Sequence, residues 1–292
     1  SGRHKSEFVD PFTGIRTMVA VLVTLILVMP ACSTNETVIS EVPTIEPTTI
    51  VEPAVDEKGC AYQPMEPITI ETKISLKDHM EMVYIPEGEF CMGELDSPAA
   101  YSTPEYTVYL DAYWIDRTEV TNGMYVLCEA AGECDELYGR YYGDFAWVDY
   151  PVNHVNWNDA EDYCNWVGRR LPTEAEWEKA ARGPDGRTYP WGNQDITGNL
   201  LNISDNKTGL DDGYKYTAPV GSYPNGASPY GALDMAGNLF EHVATNQPGI
   251  TCIGRGGSWS FGEMWARSAV RRYSACENEE PNIVDKLGFR CA

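Results

Sequence analysis

The residues of this chain with the most obvious chemistry are its nine cysteines. They do not fall in the C-x-x-C pairs that are typical of zinc sites, which disfavours a zinc-binding module. So many cysteines are unusual in a cytosolic enzyme and indicate an oxidising compartment, where disulfides persist. The first, Cys32, directly follows a hydrophobic run, so eight cysteines remain for four possible disulfides.

Other patterns that could support catalysis are weak. His154 and His242 lie deep in the globular part and His79 near its edge, and none has a partner at i+4, so a His-based iron or zinc centre is disfavoured. No Ser-His-Asp or nucleotide-loop motif is evident.

The charge of the chain excludes one class of partner. Against 21 Lys and Arg stand 44 Asp and Glu, which gives a formal net charge of −23 at pH 7. Such a surface repels nucleic acid, so we expect no nucleic-acid partner. It suits solubility or the binding of divalent cations.

Residues 1–31 are predicted to form an export signal. Met18 to Pro30 is apolar and too short to span a bilayer, and it is preceded by basic residues. The junction Ala31-Cys32 resembles a bacterial lipobox, although Met29 and Pro30 depart from its usual residues. We expect a membrane-anchored bacterial lipoprotein with lipid on Cys32. Simple secretion and an uncleaved anchor remain alternatives.

Residues 32–58 hold the lipidated cysteine and a Pro/Thr-rich acidic linker without aromatic residues. Such a composition cannot build a core and predicts an extended, disordered tether outside the cytoplasm.

The globular domain is predicted over residues 59–292, where all eight Trp lie among many turn residues. Three helices are indicated: one after Asn122, one capped by Asn158 with Glu161, and one from Thr173 with Glu176 to Gly183. Short strands are expected at 82–85, 106–115, 218–220 and 253–255. The rest reads as irregular, so disulfides, buried rings or ions must fix much of the backbone.

Eight segments in order carry a family resemblance. They are Met82 to Gly93, Trp114 to Asn122, Pro151 to Trp157, Arg170 to Glu178, Tyr189 to Asn193, Asp234 to Glu241, Arg255 to Trp259 and Gly288 to Cys291. Together they resemble the formylglycine-generating enzyme (sulfatase-modifying factor) family. The resemblance implies an α+β, C-type-lectin-like fold that is loop-rich with few short helices and strands.

The same resemblance implies chemistry that this chain departs from. Family enzymes oxidise a sulfatase cysteine to formylglycine with oxygen and copper, which two cysteines after the Gly-Gly-Ser motif bind. Here no cysteine lies between Cys252 and Cys276. Because soft Cu(I) needs thiolate or thioether ligands, a lone Met264 does not replace the pair, and we expect no copper and no catalytic residue. The sequence Phe240-Glu241-His242 also stands where the family usually has Trp-Glu-Trp.

The resemblance does support Ca²⁺ at two clusters of hard oxygen donors. The first predicted calcium cluster comprises Asn202, Ile203, Asp212 and Tyr214. The second comprises Asp234, Gly237, Leu239 and Glu241. Without the resemblance, Asp211, Asp212 and Asp234 read as turn residues with solvated carboxylates.

Four disulfides are expected. Cys164 and Cys291 match cysteines that are bridged in the family, Cys128 and Cys134 form a local pair, and Cys60–Cys91 and Cys252–Cys276 follow by elimination.

Two functions compete. The first is a non-catalytic binding or structural module for a protein, peptide or glycan, and a variable receptor diversified near its C-terminus is a narrower form of it. Its expected contact surface consists of Trp259, Phe261, Trp265, Arg267, Arg271 and Arg272. The second is a formylglycine-generating-type oxidoreductase acting on a protein cysteine, which the missing cysteine pair disfavours.

Overall fold

The computed structural model describes residues 60, 62–65, 67–95, 102, 104–137, 147–203, 209–244, 252–274 and 284–292. The predicted signal peptide, the linker with Cys32, and Cys276 lie outside the described residues. Within these ranges no helix combines the length and the apolar character that a membrane crossing requires.

The described residues form short elements joined by long loops, the α+β architecture expected from the sequence. The helices are α1 (Asn122–Ala131), α2 (Trp157–Trp166) and α3 (Glu174–Arg182). The strands are β1 (Thr72–Ile74), β2 (Glu81–Ile85), β3 (Gly88–Met92), β4 (Tyr106–Leu110), β5 (Tyr113–Asp116), β6 (Phe240–His242), β7 (Cys252–Arg255), β8 (Arg272–Ser274) and β9 (Leu287–Phe289). Short 3-10 helices cover Pro224–Gly226, Glu263–Ala266 and Val284–Lys286.

Three small sheets organise these strands. β2 lies between β1 and β5 in an antiparallel sheet, and β3 pairs with β4. The third sheet has the order β8-β7-β6-β9, and its β6 and β9 run parallel. Because Glu241 on β6 lies opposite Gly288 on β9, this sheet brings the C-terminal residues beside the second predicted calcium cluster.

Local capping explains where the helices begin. Thr173 and Glu176 form the predicted capping box of α3, and α3 ends before Gly183 as expected. The predicted start of α2 is wrong by two residues, because Asn156 caps the helix and pairs reciprocally with Asp159. Asn156 and Asn158 both fit a capping pattern, and the sequence alone does not rank them.

Two strand predictions are also corrected. The single strand expected at 106–115 is two strands in different sheets, β4 beside β3 and β5 beside β2. Residues 218–220 form no strand, since Pro219 has no N–H and the N–H groups of Ala218 and Val220 bond elsewhere. Ala218 N donates to Asn238 Oδ1 at 2.9 Å, and Val220 N donates to Asp149 O at 2.9 Å.

The core has two main parts. α1 and α2 pack through Tyr125 and Tyr163, whose rings stack at 5.7 Å, and Phe289 of β9 lies against Tyr163. α3 contributes Trp177 to a second cluster with Val83 and Ile115. Burial of these large rings is a main source of stability in a domain with few long elements.

The disulfide predictions are largely confirmed. Cys60–Cys91, Cys128–Cys134 and Cys164–Cys291 are bridged, with Cα separations of 5.6, 5.3 and 5.6 Å. Cys252 is also in a disulfide, while its predicted partner lies outside the described residues.

Candidate functional site

A tight turn after β7 sets the direction of residues 258–267, here called the aromatic loop. Gly256 and Gly257 have φ of +89° and +81°, and a Cβ on Gly257 would lie 2.8 Å from Trp265 O. Glycine is therefore needed for both the backbone conformation and the close approach. Ser258 O accepts from Phe261 N and Gly262 O accepts from Trp265 N, each at 3.0 Å, so the loop folds back on itself.

A buried ion-pair network fixes the base of the loop. Arg255 Nη2 lies 2.5 Å from Glu178 Oε2, and Arg182 Nη1 lies 3.0 Å from Glu178 Oε1. Burial alone would raise the pKa of Glu178, but the charges of Arg255 and Arg182 outweigh it and hold the pKa below its ordinary value. The network thus ties the turn to α3.

The aromatic side chains of the loop are half-buried and form two groups of ring contacts. Phe261 and Trp265 lie 5.6 Å apart, and both rings contact Phe240 of β6, at 5.0 and 5.7 Å. Trp259 packs edge-on against Tyr216 at 5.2 Å. Such rings combine apolar area with limited conformational freedom, which suits a recognition surface.

The three predicted contact arginines separate in the structure. Arg267 pairs with Glu94 and lies over the ring of Tyr189, at the half-buried end of the loop. Arg272 on β8 lies over the Phe240 ring at 5.5 Å. The prediction that Arg271 belongs to the contact surface is wrong, because its side chain is buried and paired with Glu174 of α3.

No thiol is present in the aromatic loop, all of whose residues are described. Phe261, Met264 and Ala266 are apolar, and Cys252 before the loop is held in a disulfide. The donor set around this loop does not fit Cu(I).

In the first predicted calcium cluster, Asp212 organises the loop. Its Oδ2 accepts from Ile203 N at 2.6 Å and its Oδ1 from Tyr214 N at 3.0 Å, so all four predicted residues are brought together. Asn202 Oδ1 is buried and has no hydrogen-bond partner. An unpaired buried carbonyl oxygen is costly, and a bound cation would satisfy it. The residues therefore fit calcium.

The second predicted calcium cluster also has an excess of negative charge. Arg290 holds Glu241 through two hydrogen bonds of 2.6 Å, and Trp177 Nε1 donates to the same carboxylate at 2.7 Å. Asp234 accepts from Gly221 N at 2.6 Å. One arginine thus faces more than one buried carboxylate.

Glu119, which sequence analysis did not select, belongs to this second cluster. It lies between β5 and α1, is fully buried, and neither carboxylate oxygen has a hydrogen-bond partner. Burial, together with the charges of Asp234 and Glu241, raises the pKa of Glu119 well above its ordinary value. Burial likewise raises the pKa of Asp234 to about 6. A cation would relieve this repulsion, so the second cluster also fits calcium.

Asn238 connects both clusters to the aromatic loop. Its backbone N donates to Asn202 O at 3.0 Å, and its Oδ1 accepts from Asn202 Nδ2 at 3.1 Å. Its carbonyl accepts from Trp259 N at 2.9 Å. Gly237 next to it leaves no room for a Cβ, which would lie 2.2 Å from Asn202 O. The loop is therefore anchored on residues that lie among the predicted ligands.

Outside the two predicted calcium clusters, one group of metal-ligating side chains comes together among the described residues. Among the described residues, one set of three such side chains has ligand atoms within 4.8 Å of one another, namely Cys60, Cys91 and Glu105, and its two cysteines form a disulfide. His242 is buried with Nε2 3.2 Å from Val155 O, and burial lowers its pKa to about 4.

Comparison with known proteins adds to this geometry. Residues 71–292 match the family "Sulfatase-modifying factor enzyme 1-like domain". The formylglycine-generating enzyme of Streptomyces coelicolor is 33% identical over 281 residues, covering 72% of this chain and 88% of that protein. The inactive C-alpha-formylglycine-generating enzyme 2 of Bos taurus is 38% identical over 154 residues, covering 50% of this chain and 50% of that protein.

Solved structures are similar over most of the domain. PvdO from Pseudomonas aeruginosa has a TM-score of 0.62 and 26% identity, covering 78% of this chain and 98% of that chain. Treponema denticola variable protein 1 has a TM-score of 0.58 and 21% identity, covering 77% and 98% of the two chains, a likeness of fold alone.

Proposed function

The chain belongs to the family of sulfatase-modifying factor enzyme 1-like domains, and we propose that it is a non-catalytic binding module of that family. One observation carries the proposal: where family enzymes hold copper on two cysteines, this chain presents aromatic rings and no thiol. Relatives of Bos taurus and Mus musculus named as inactive support the idea that this fold persists without the oxidase activity.

The proposed ligand surface is the half-buried side of the aromatic loop. Trp259, Phe261 and Trp265 supply large rings, and Arg267 with Glu94 supplies a charged border at one end. A surface of aromatic rings next to an arginine fits a peptide, protein or glycan ligand better than a small inorganic one.

Calcium is proposed as the structural ion of both predicted calcium clusters, with Glu119 added to the second. Within the two clusters, Asn202 Oδ1 and the Glu119 carboxylate oxygens are buried without hydrogen-bond partners, and they support this assignment. Calcium at these positions would stabilise loops that hold few of their own hydrogen bonds. Through Asn238, the same ions would hold the backbone of Trp259 in place.

We also propose that the module acts outside the cytoplasm, tethered by lipid on Cys32. The apolar run at 18–30, the Ala31-Cys32 junction and the acidic linker support this, and mass spectrometry of the mature N-terminus tests it. An unmodified N-terminal peptide that starts at another residue would contradict lipidation at Cys32.

Binding is tested by probing peptide and glycan arrays with the full chain and with a Trp259→Ala/Trp265→Ala variant. The expected result is a set of spots that bind the wild type at least tenfold more strongly than the variant. Tyr109→Ala removes an exposed ring on β4, which is not part of the aromatic loop, and is the matched control that keeps binding. The same spots retained by the double variant would refute the aromatic loop as the ligand surface.

A further inference from the structure

Strand β1 leaves an apolar stripe exposed at the edge of its sheet. It is the terminal strand in the order β1-β2-β5. Side chains alternate along a strand, so Thr72 and Ile74 of β1 share one side, and Ile68, Ile70 and Leu76 are apolar residues that flank the strand. Ile70, Ile74 and Leu76 are 53%, 56% and 94% exposed.

The exposed stripe lies on the side of the sheet that contributes Val83 and Ile115 to the core, here called its core side. The other side of the sheet carries Met82 and Asp116, which are also buried. Thr72 is opposite Val83, and Val83 is opposite Ile115, and both of these neighbours are fully buried. The apolar face of the sheet thus continues onto β1 beyond the part that the described residues cover. Natural edge strands are usually protected by charge, proline or a covering element, so this one calls for a partner.

The free edge of β1 also has a defined hydrogen-bonding pattern. Glu71 O accepts from Tyr84 N at 3.1 Å, and Ser75 N donates to Met80 O at 2.8 Å, so these two residues face β2. Because the direction alternates in an antiparallel ladder, the N–H and C=O groups of Ile70, Thr72 and Ile74 point away from β2.

This edge is complementary to itself. In an antiparallel pair with a two-fold axis at Thr72, Ile70 lies opposite the second copy's Ile74, and Thr72 lies opposite Thr72. Glu71 then lies opposite the second copy's Lys73, and the axis repeats each contact. The outward N–H and C=O groups of residues 70, 72 and 74 also meet in register, as a hydrogen-bonded centre requires.

We propose that this chain forms a symmetric homodimer in which β1 pairs antiparallel with β1 of a second copy, centred on Thr72. The two sheets become one six-stranded sheet, and the apolar stripes of both copies pack together on its core side. Lys73 lies over the Trp114 ring at 4.4 Å and so is already held on the face where it meets Glu71. A two-fold contact uses the same surface of both copies, so it forms a closed dimer in which both β1 edges are covered.

The register is tested by cysteine crosslinking of the full chain. In a hydrogen-bonded pair, Cα atoms at the centre lie about 5.5 Å apart, within disulfide range, so Thr72→Cys should crosslink as a dimer under mild oxidation. Ile74→Cys is the matched control, since its two copies would lie about 13 Å apart and should not crosslink. Equal crosslinking of both variants, or of neither, overturns the proposal.

Association is tested by sedimentation velocity of the full chain against Thr72→Pro. The Thr72 N–H points away from β2, so proline there leaves the β1–β2 ladder intact and blocks only the outward bonds. We expect at least tenfold weaker dimerisation at unchanged melting temperature. A variant that dimerises like the wild type overturns the proposal, and any association through other parts of the chain is common to both proteins.

A charge exchange gives an independent test. Glu71→Lys alone places lysines opposite each other, Lys73→Glu alone places glutamates opposite each other, and a mixture of the two variants restores opposite charges. Each variant should dimerise more weakly than the mixture. A different result would contradict the dimer: the wild type stays monomeric and floats with anionic lipid vesicles, and the Leu76→Lys variant does not float. The stripe would then face a membrane.

Discussion

Substituting Glu119 by Gln should stabilise the calcium-free protein and remove most of the stabilisation that calcium gives. The side chain is fully buried, its two carboxylate oxygens have no hydrogen-bond partner, and Asp234 and Glu241 are the neighbouring charges that raise its pKa. In calcium-free protein, Glu119 must either bury its charge beside two carboxylates or bind a proton. Glutamine has nearly the same shape as glutamate but carries no charge, so it removes the cost of burying or protonating a carboxylate.

The expected gain for calcium-free Glu119→Gln is about 2 kcal/mol, within the range of about 1–4 kcal/mol by which replacing buried ionic groups can stabilise a protein. For a domain of this size, that corresponds to a melting temperature about 4 to 8 °C higher. With calcium at about 100 times its dissociation constant, the wild type should gain about 2.7 kcal/mol. The variant, lacking one ligand, should lose most of that gain.

The assay is differential scanning calorimetry in chelator and in excess calcium. Glu178→Gln is the matched control, because Glu178 is equally buried but paired with Arg255 and Arg182, and its loss should destabilise the protein under both conditions. If Glu119→Gln lowers the melting temperature equally in chelator and calcium, the carboxylate supports the fold directly and our account of the second cluster is wrong.

Three further outcomes follow from single residues. Gly257→Ala should destabilise the chain by about 2 kcal/mol more than Gly132→Ala. Both glycines have positive φ, but only at Gly257 would an added Cβ lie within 3 Å of backbone atoms. Equal urea midpoints of the two variants would contradict this prediction. Cys164→Ser opens a bridge with a sequence separation of 127 residues and should cost about 5 kcal/mol in the chain-entropy model, measured by urea unfolding against Cys128→Ser. A cost no larger than that of Cys128→Ser would refute this reasoning. Burial lowers the pKa of Lys179 to about 8, so the unfolded chain binds more protons than the folded chain between pH 8 and 10. The free energy of unfolding of the wild type relative to Lys179→Met should therefore rise with pH over that window. A difference that does not change with pH would contradict this prediction.

Local signals were readable from the sequence. The capping box at Thr173 and Glu176 lies within one turn of chain, and the structure confirms both ends of α3. The same logic failed by two residues at α2, where Asn156 and Asn158 offered equivalent patterns. Disulfide pairing was correct for three bridges because family resemblance and a short loop restricted the choices.

Long-range partners were not readable. The strand expected at 218–220 does not form, because the N–H groups of Ala218 and Val220 donate to Asn238 and Asp149, which are distant in sequence. Arg271 reads as a surface charge until Glu174 of α3 covers it. Glu119 is distant in sequence from Asp234 and Glu241, and its only local signal is a carboxylate between a buried strand and a helix.

The measurement that tests the central claim most directly is an activity assay of the full chain with Cu(I), oxygen and a Cys-x-Pro-x-Arg sulfatase peptide. Our account predicts no aldehyde above the level without protein, since the described aromatic loop offers no thiolate and Cys252 is held in a disulfide. Aldehyde formed at a catalytic rate, and lost when copper is removed, would contradict the binding-module function and identify the chain as an oxidase of its family.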